Sequence, residues 1–209
     1  MDIIKQLNWR YATKKFDATK KLSKSKLDII TQAFNLTATS FGLQTIKLVV
    51  VENAETRKPL VEASYFQNQV VEASHLLIIC IQNDIETMDI TNYYNNIKDI
   101  RNTAEDVLKP HRESLIKMME GKSVQERQQW STNQAYIALG NLMAVCAMEG
   151  VDACPMEGFL PAKYDEILKL SEKGLKSVLL LPIGYRADDD MFSSLKKVRK
   201  PIEETIITL

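Results

Sequence analysis

The sequence predicts a mixed helix-and-sheet fold, an α+β or α/β sandwich, and three observations lead there. Short apolar runs at 46–51, 76–81 and 177–181 have strand length and are separated by stretches with helical spacing. Several of those helical stretches are longer than any strand. No repeat, low-complexity tract or Gly/Ser linker interrupts the 209 residues, so 1–209 is expected to be a single domain.

Asp2 is placed to cap an opening helix in which Ile3, Ile4 and Leu7 recur at helical spacing. Ser23 or Ser25 starts a second helix, with Leu27, Ile30, Ala33 and Phe34 as its buried stripe. Residues 37–44 form a loop, 46–51 a strand and 59–63 a short helix. Residues 76–81 are a buried strand bounded by His75 and Asn83. Residues 92–120 predict one long helix, broken or kinked at Pro110. After Gly121 the longest helix runs from 124 to 149 and is closed by Gly150. A strand (151–154), a helix (162–170), a strand (177–181) and a strand-like tail (202–209) complete the chain.

Residues 135–148 of the longest helix are apolar on nearly every side, and such a helix must be covered all round. A second subunit is one source of that cover, and burial at the centre of a single chain is the other. Ala138, Gly140, Ala144 and Ala147 permit close approach in both cases.

Composition narrows the function classes. Lys plus Arg and Asp plus Glu each number 27, so no global field draws the chain to nucleic acid or to an anionic membrane. The hydrophobic content, 45%, suffices for a core without disulfides or metal. Cys80, Cys146 and Cys154 show no metal-ligand spacing and no disulfide framework, which indicates a reducing compartment. Residues 1–10 are interrupted by Asp2, Lys5 and Arg10, unlike a signal-peptide core, and no apolar run is long enough to span a bilayer. A cytoplasmic protein is expected. His75 and His111 lack metal partners at helical spacing, and no metal is expected. The Gly-x-Ser-x-Gly elbow, the phosphate-cradling Gly-x-x-x-x-Gly-Lys loop and the dinucleotide Gly-x-Gly-x-x-Gly are absent.

Three segments carry chemistry of interest. Asn8 to Asp17 presents Arg10 and Lys14 just after a helix; Arg offers a planar fork for phosphate oxygens and Lys a compact charge. Cys154-Pro155-Met156-Glu157-Gly158-Phe159 makes a turn whose backbone groups can face a planar ligand. Leu195 to Pro201 holds Lys196, Lys197, Arg199 and Lys200, a cluster able to grip a phosphate. Each segment alone is also compatible with an ordinary solvated surface or loop.

Taken in this order, the segments resemble the nitroreductase family of FMN enzymes, most closely its oxygen-insensitive NAD(P)H nitroreductase and dihydropteridine reductase branch. The resemblance extends over almost the whole chain and includes 40–44, Glu72-Ala73-Ser74-His75 and 130–150. It implies an α+β fold with a central, mostly antiparallel sheet and a long helix forming the interface of a homodimer. It further implies FMN at that interface and C-terminal tails exchanged between subunits. By resemblance, Arg10, Lys197 and Arg199 hold the flavin phosphate, with Tyr11 and Ala12 giving backbone or packing contacts. Lys14 lies beside the pyrimidine end of the flavin and stabilises charge at N1 and O2. Pro155, Met156, Glu157 and Gly158 pack on one face, where Glu157 acts through its backbone N–H.

Gln67 and Gln69 are candidates for the flavin ring edge, with Asn68 a third, where relatives have Asn and a second Lys. Ser40, Phe41 and Gly42 fall in the substrate loop, more apolar here than in the best-known pattern. The implied activity is ping-pong transfer of two electrons from NAD(P)H to a nitroaromatic, quinone or similar small acceptor, the flavin carrying the chemistry. The alternative is a flavin-binding protein of the same fold with little turnover, or with a specialised acceptor such as a pteridine.

Overall fold

The structure is a computed structural model and describes residues 2–209; Met1, where the predicted domain begins, lies outside them. Four strands form an antiparallel sheet in the order β1-β2-β4-β3: β1 (Ile46–Val51), β2 (His75–Gln82), β3 (Asp152–Ala153) and β4 (Leu175–Gly184). The fold is α+β, as the sequence predicts. Strand β2 is central, and its register pairs Val49 with Ile78 and Ile78 with Leu180. Its unbroken aliphatic run follows from that place, because both faces of a covered strand are dry.

Alternation along β2 and β4 divides the interior in two. Leu76, Ile78, Cys80 and Leu180 face Leu60, Val70, Phe159 and the α8 (Pro161–Ile167) residue Tyr164. Leu77, Ile79, Ile81, Leu179 and Leu181 face Ile30 of α2 (Lys24–Asn35) and Ala135, Ala138 and Leu142 of α7 (Val124–Met148). The caps of the first two helices are among those expected, and the box on the longest helix is an addition of the structure. Asp2 caps α1 (Ile3–Trp9), Ser23 caps α2, and Ser123 with Glu126 forms a capping box on α7.

A third apolar cluster lies under a helical hairpin, α5 (Thr87–Arg101) and α6 (Glu105–Glu120), where Ile90, Tyr94, Leu108, Leu115 and Met119 meet Leu43. Here one expectation is corrected. The chain breaks not at Pro110, which lies inside α6, but at Asn102, in the left-handed region at φ 52°. Asn tolerates that conformation, and Pro110 near the start of a helix gives up a single backbone bond. Helix α5 also starts earlier than predicted, with the Glu86 N–H donating to Asp89 at 2.8 Å. Residues 58–60 and 62–64 are 3₁₀ turns around the short α3 (Ala54–Arg57) and α4 (Gln69–Glu72).

The tail is corrected too. Residues Ile202–Thr205 form one helical turn (α9), and 206–209 are extended without a ladder. Pro201 before the turn and Glu203 and Glu204 within it suit a helix start, and among the described residues no strand lies alongside to pair with the tail. Among the described residues no helix is long and apolar enough to cross a membrane.

Gly184 closes β4 against the centre of the molecule. A Cβ there would stand 2.9 Å from the Ser74 backbone nitrogen and 3.1 Å from the Phe16 ring. Gly184→Ala is expected to cost about 1–3 kcal/mol through overpacking. Urea unfolding checks this, and a midpoint equal to wild type would show that the Ser74 backbone yields freely.

Candidate active site

The Arg10–Asp17 segment is held in place by the chain beyond β4. Ala12 bridges in parallel to Ala153, adding the segment to the β3 edge of the sheet. Phe16 bridges Arg186, the Asp17 N–H donates to the Tyr185 carbonyl at 2.8 Å, and the Ala187 N–H donates to that of Lys15 at 3.0 Å. Arg186 lies between two rings, 4.4 Å from Trp9 and 4.6 Å from Tyr11, and its Nε donates to the buried Asp152 carboxylate at 2.8 Å.

Beyond this zipper the chain turns back toward its own start. Lys197 Nζ donates to the carbonyls of Leu7, at 2.7 Å, and Arg10, at the C-terminal end of α1 where a cation is favoured. A cleft of about 370 Å³ results, lined by Arg10, Tyr11, Ala12, Lys14, Lys197 and Arg199 among others. The structure thus brings together the two basic segments that lie nearly 190 positions apart in sequence.

Their charges are uncompensated. Among the described residues Arg10, Lys14, Lys197 and Arg199 make no salt bridge. Burial, then the nearby Arg199, lowers the Arg10 pKa; burial, then Arg10 and Arg199, lowers that of Lys197. A cluster of cations that disfavour one another is relieved by a bound dianion, so these residues fit a phosphate.

The 155–158 loop does not line this cleft; the chain just before it is tied to the Arg10–Asp17 segment through the bridge between Ala12 and Ala153. Pro155 begins the loop. Met156 exchanges both backbone bonds with Leu180, at 2.9 and 3.0 Å, and its side chain is buried in the core. The backbone N–H groups of Glu157 and Gly158 have no partner among the described residues, so they are the free donors of this turn. The Glu157 carboxylate accepts from the Tyr136 hydroxyl of α7 at 3.0 Å, a bond that raises the Tyr136 pKa.

Gln67 spends its amide nitrogen on the carbonyls of Ser64 (3.1 Å) and Gly158 (2.8 Å), so it tethers the loop and keeps only Oε1 for another partner. Gln69, at the start of α4, is 6% exposed. Neither glutamine lines the cationic cleft. Nor do Ser40, Phe41 and Gly42. That loop is fixed against α7 by the Ser40 N–H donating to Gln134 at 2.8 Å, with Phe41 at φ 55° and 52% exposed. Gly42, at φ 75°, lies against Tyr93, whose hydroxyl would be 2.5 Å from an added Cβ.

Sequence reasoning missed Asp190, Tyr136 and the Asp152–Arg186 pair. Asp190 ends a run of three acids just before the basic cluster, and that abrupt change of sign was the available signal.

The nitroreductase family model matches residues 7–185. The chain belongs to the nitroreductase family. Relatives of this nitroreductase-family chain match along its length. YfkO of Bacillus subtilis (strain 168) is 32% identical over 218 residues, covering 98% of this chain and 96% of its own. The oxygen-insensitive NAD(P)H nitroreductase of Enterobacter cloacae is 28% identical over 216 residues, covering 100% and 99%. A crystal structure from Exiguobacterium sibiricum, solved in complex with FMN, has the same fold: TM-score 0.83 at 20% identity, covering 100% of this chain and 98% of the other. Lys197 and Arg199 lie beyond the family match, so their place in the cleft is known from geometry alone.

Proposed function

We propose that the protein is an FMN-dependent oxidoreductase that works as a homodimer, moving two electrons from NAD(P)H to a nitroaromatic, a quinone or a related small acceptor in ping-pong order. The observation that carries this reading is the meeting of Arg10, Lys197 and Arg199, from both ends of the chain, in one cleft whose lining, among the described residues, holds no acid. The E. sibiricum protein of the same fold binds FMN, and the E. cloacae relative is an NAD(P)H nitroreductase by name; both support it.

Bound FMN would supply the two-electron chemistry, receiving electrons from the nicotinamide and returning them to the acceptor. The residues present would bind and orient it. Arg10, Lys197 and Arg199 would hold the phosphate, with Tyr11 and Ala12 forming the wall beside them. Lys14 would stabilise negative charge at the pyrimidine end. Glu157 and Gly158 would offer their free N–H groups, with Pro155 and Met156 shaping the turn and Gln67 fixing it through Gly158.

A second copy supplies what one chain leaves uncovered. Tyr136 and Ile137 of α7 are 45% and 49% exposed, and Ile3, Ile4 and Leu7 of α1 are exposed too. Tail residues Ile202, Ile206, Ile207 and Leu209 likewise have no cover. Strand β1 is an edge strand beside a cleft of mixed lining, apolar at Phe34, Ile46, Leu48 and Val50 and polar at Thr37 and Lys47, which would admit a partner's tail. Pairing also offers a way to bring Ser40, Phe41 and Gly42 of one copy to the cleft of the other as an acceptor-binding loop.

Purified protein is expected to be yellow and to sediment at twice its 23.8 kDa subunit mass. Its flavin should bleach with NADH or NADPH without oxygen and recover its colour on adding a quinone or nitroaromatic. A colourless monomer that takes up no FMN would contradict the reading. Flavin that bleaches but is reoxidised by none of these acceptors would favour the low-turnover alternative.

A further inference from the structure

We propose that Asp190 is a positioning residue for flavin binding, holding Lys14 and the segment around it in register with the C-terminal cations while leaving those cations unneutralised. The proposal rests on the FMN reading above. Asp190 is 3% exposed, and its carboxylate is fully engaged. Oδ2 accepts from the Tyr11 hydroxyl at 2.8 Å and from the Lys14 and Lys15 backbone N–H groups at 3.0 and 3.2 Å. Oδ1 accepts from the Phe192 N–H at 3.1 Å, capping the 3₁₀ turn Met191–Ser194 that leads to Lys197. One side chain therefore joins the segment carrying Arg10 and Lys14 to the one carrying Lys197 and Arg199.

The choice of donors is the informative feature. A carboxylate beside a cationic cleft would ordinarily pair with a cation and cancel the charge that attracts an anion. Here every donor to the Asp190 side chain among the described residues is neutral, a phenol or a backbone amide, and these charge-assisted bonds fill its acceptor sites without a cation. The neighbouring Asp189 takes Lys15 Nζ as its partner. Lys14, between these anchored amides, keeps its ammonium outside any salt bridge, available to a ligand. Burial works against ionisation of Asp190, yet the bonds from Tyr11, Lys14, Phe192 and Lys15 hold its pKa below the ordinary carboxylate value. The negative charge is present at neutral pH and is directed into the scaffold.

The test compares Asp190→Asn, Asp190→Ala, Tyr11→Phe and Lys14→Met with wild type in FMN affinity and in the midpoint potential of the bound flavin. Both Asp190 variants are expected to bind FMN at least about tenfold more weakly, and Tyr11→Phe, which removes one of four bonds, to lose less. The potential provides a test of sign. Deleting a nearby negative charge would by itself raise it, whereas displacing Lys14 lowers it, as Lys14→Met does directly. We expect Asp190→Asn to lower the potential in the wild-type background, and in a Lys14→Met background, where no ammonium remains to displace, to lower it no further and to raise it slightly through the lost negative charge. Wild-type affinity with an unchanged or raised potential would overturn the proposal.

Amide hydrogen exchange in flavin-free protein separates this proposal from the FMN reading. Asp190→Asn should deprotect Lys14 and Lys15 even if wild type were found not to bind FMN, an outcome that would remove the functional reading but leave the anchor. Protection equal to wild type would remove the anchor. Should Asp190→Ala fail to fold, Tyr11→Phe and Asp190→Asn carry the comparison.

Discussion

Replacing Arg10 and Arg199 together with alanine is expected to leave a folded protein that no longer retains FMN. Each guanidinium would give the phosphate charge-assisted bonds worth about 1.5–3 kcal/mol. Losing both should weaken binding by about 10²–10⁴-fold. Without ligand the sign reverses. Arg199 is one cause of the lowered Arg10 pKa, and Arg10 and Arg199 both contribute to that of Lys197, so the cluster is mutually repulsive when empty of an anion. The flavin-free variant should therefore unfold at a temperature equal to or above that of flavin-free wild type. Fluorescence titration with FMN and thermal melts of both apo proteins check the pair of outcomes. Affinity within a factor of about three of wild type would move the phosphate site elsewhere, and a lower apo melting temperature would make these arginines structural.

The second large effect is on stability, at Arg57. This side chain is fully buried, and its guanidinium donates to four backbone carbonyls: Val70 (3.2 Å), Ala73 (2.7 Å), Glu52 (3.1 Å) and Ser74 (3.3 Å). It is the internal clamp for residues 52–74, a stretch of short helices and turns with little ladder of its own. Burial lowers its pKa, but arginine stays charged because its ordinary value is so high. Arg57→Ala leaves several buried acceptors without a donor and is expected to cost about 3–5 kcal/mol in urea unfolding. Arg57→Lys should recover only part, since an ammonium cannot reproduce a planar fork spanning four acceptors. The clamped stretch carries Gln67, which holds Gly158, so the alanine variant should also bind FMN less tightly. A loss below about 1 kcal/mol would mean that water replaces the guanidinium at little cost.

How much of this was legible depends on whether the signal is local. Strand β2 announces itself because a central strand is apolar on both faces, here from Leu76 to Ile81, and α1, α2 and α7 because Asp2, Ser23 and Ser123 cap them in ways the chain states within a few residues. The α5–α6 break was hidden because Pro110 is the louder sign, while Asn102 adopts a left-handed turn without any change in the hydrophobic pattern. The candidate site was legible through the family resemblance, because each basic segment alone also suits a solvated surface. Arg10, Lys14, Lys197 and Arg199 stand out in the sequence, and the fold joins them in one cleft.

Their supports were not legible. Three of the four donors to Asp190 lie 175 to 179 positions away, and Tyr136 meets Glu157 across 21 positions with no periodicity to advertise it. For α7 the apolar pattern left two sources of cover open, a second subunit or the centre of one chain, and within the chain Tyr136 and Ile137 remain about half exposed. The tail has strand character at Ile206, Ile207 and Leu209, but a strand exists only beside a partner, and none is present among the described residues.

Everything in the functional reading depends on phosphate recognition by cations drawn from the two ends of one chain. Comparing FMN with riboflavin, the same ring without the phosphate, tests that dependence most directly. Equilibrium titration of the flavin-free protein should give FMN an affinity at least about a hundredfold above that of riboflavin, with the gap shrinking as salt is raised. Equal affinity for the two flavins, or a preference indifferent to salt, would contradict it.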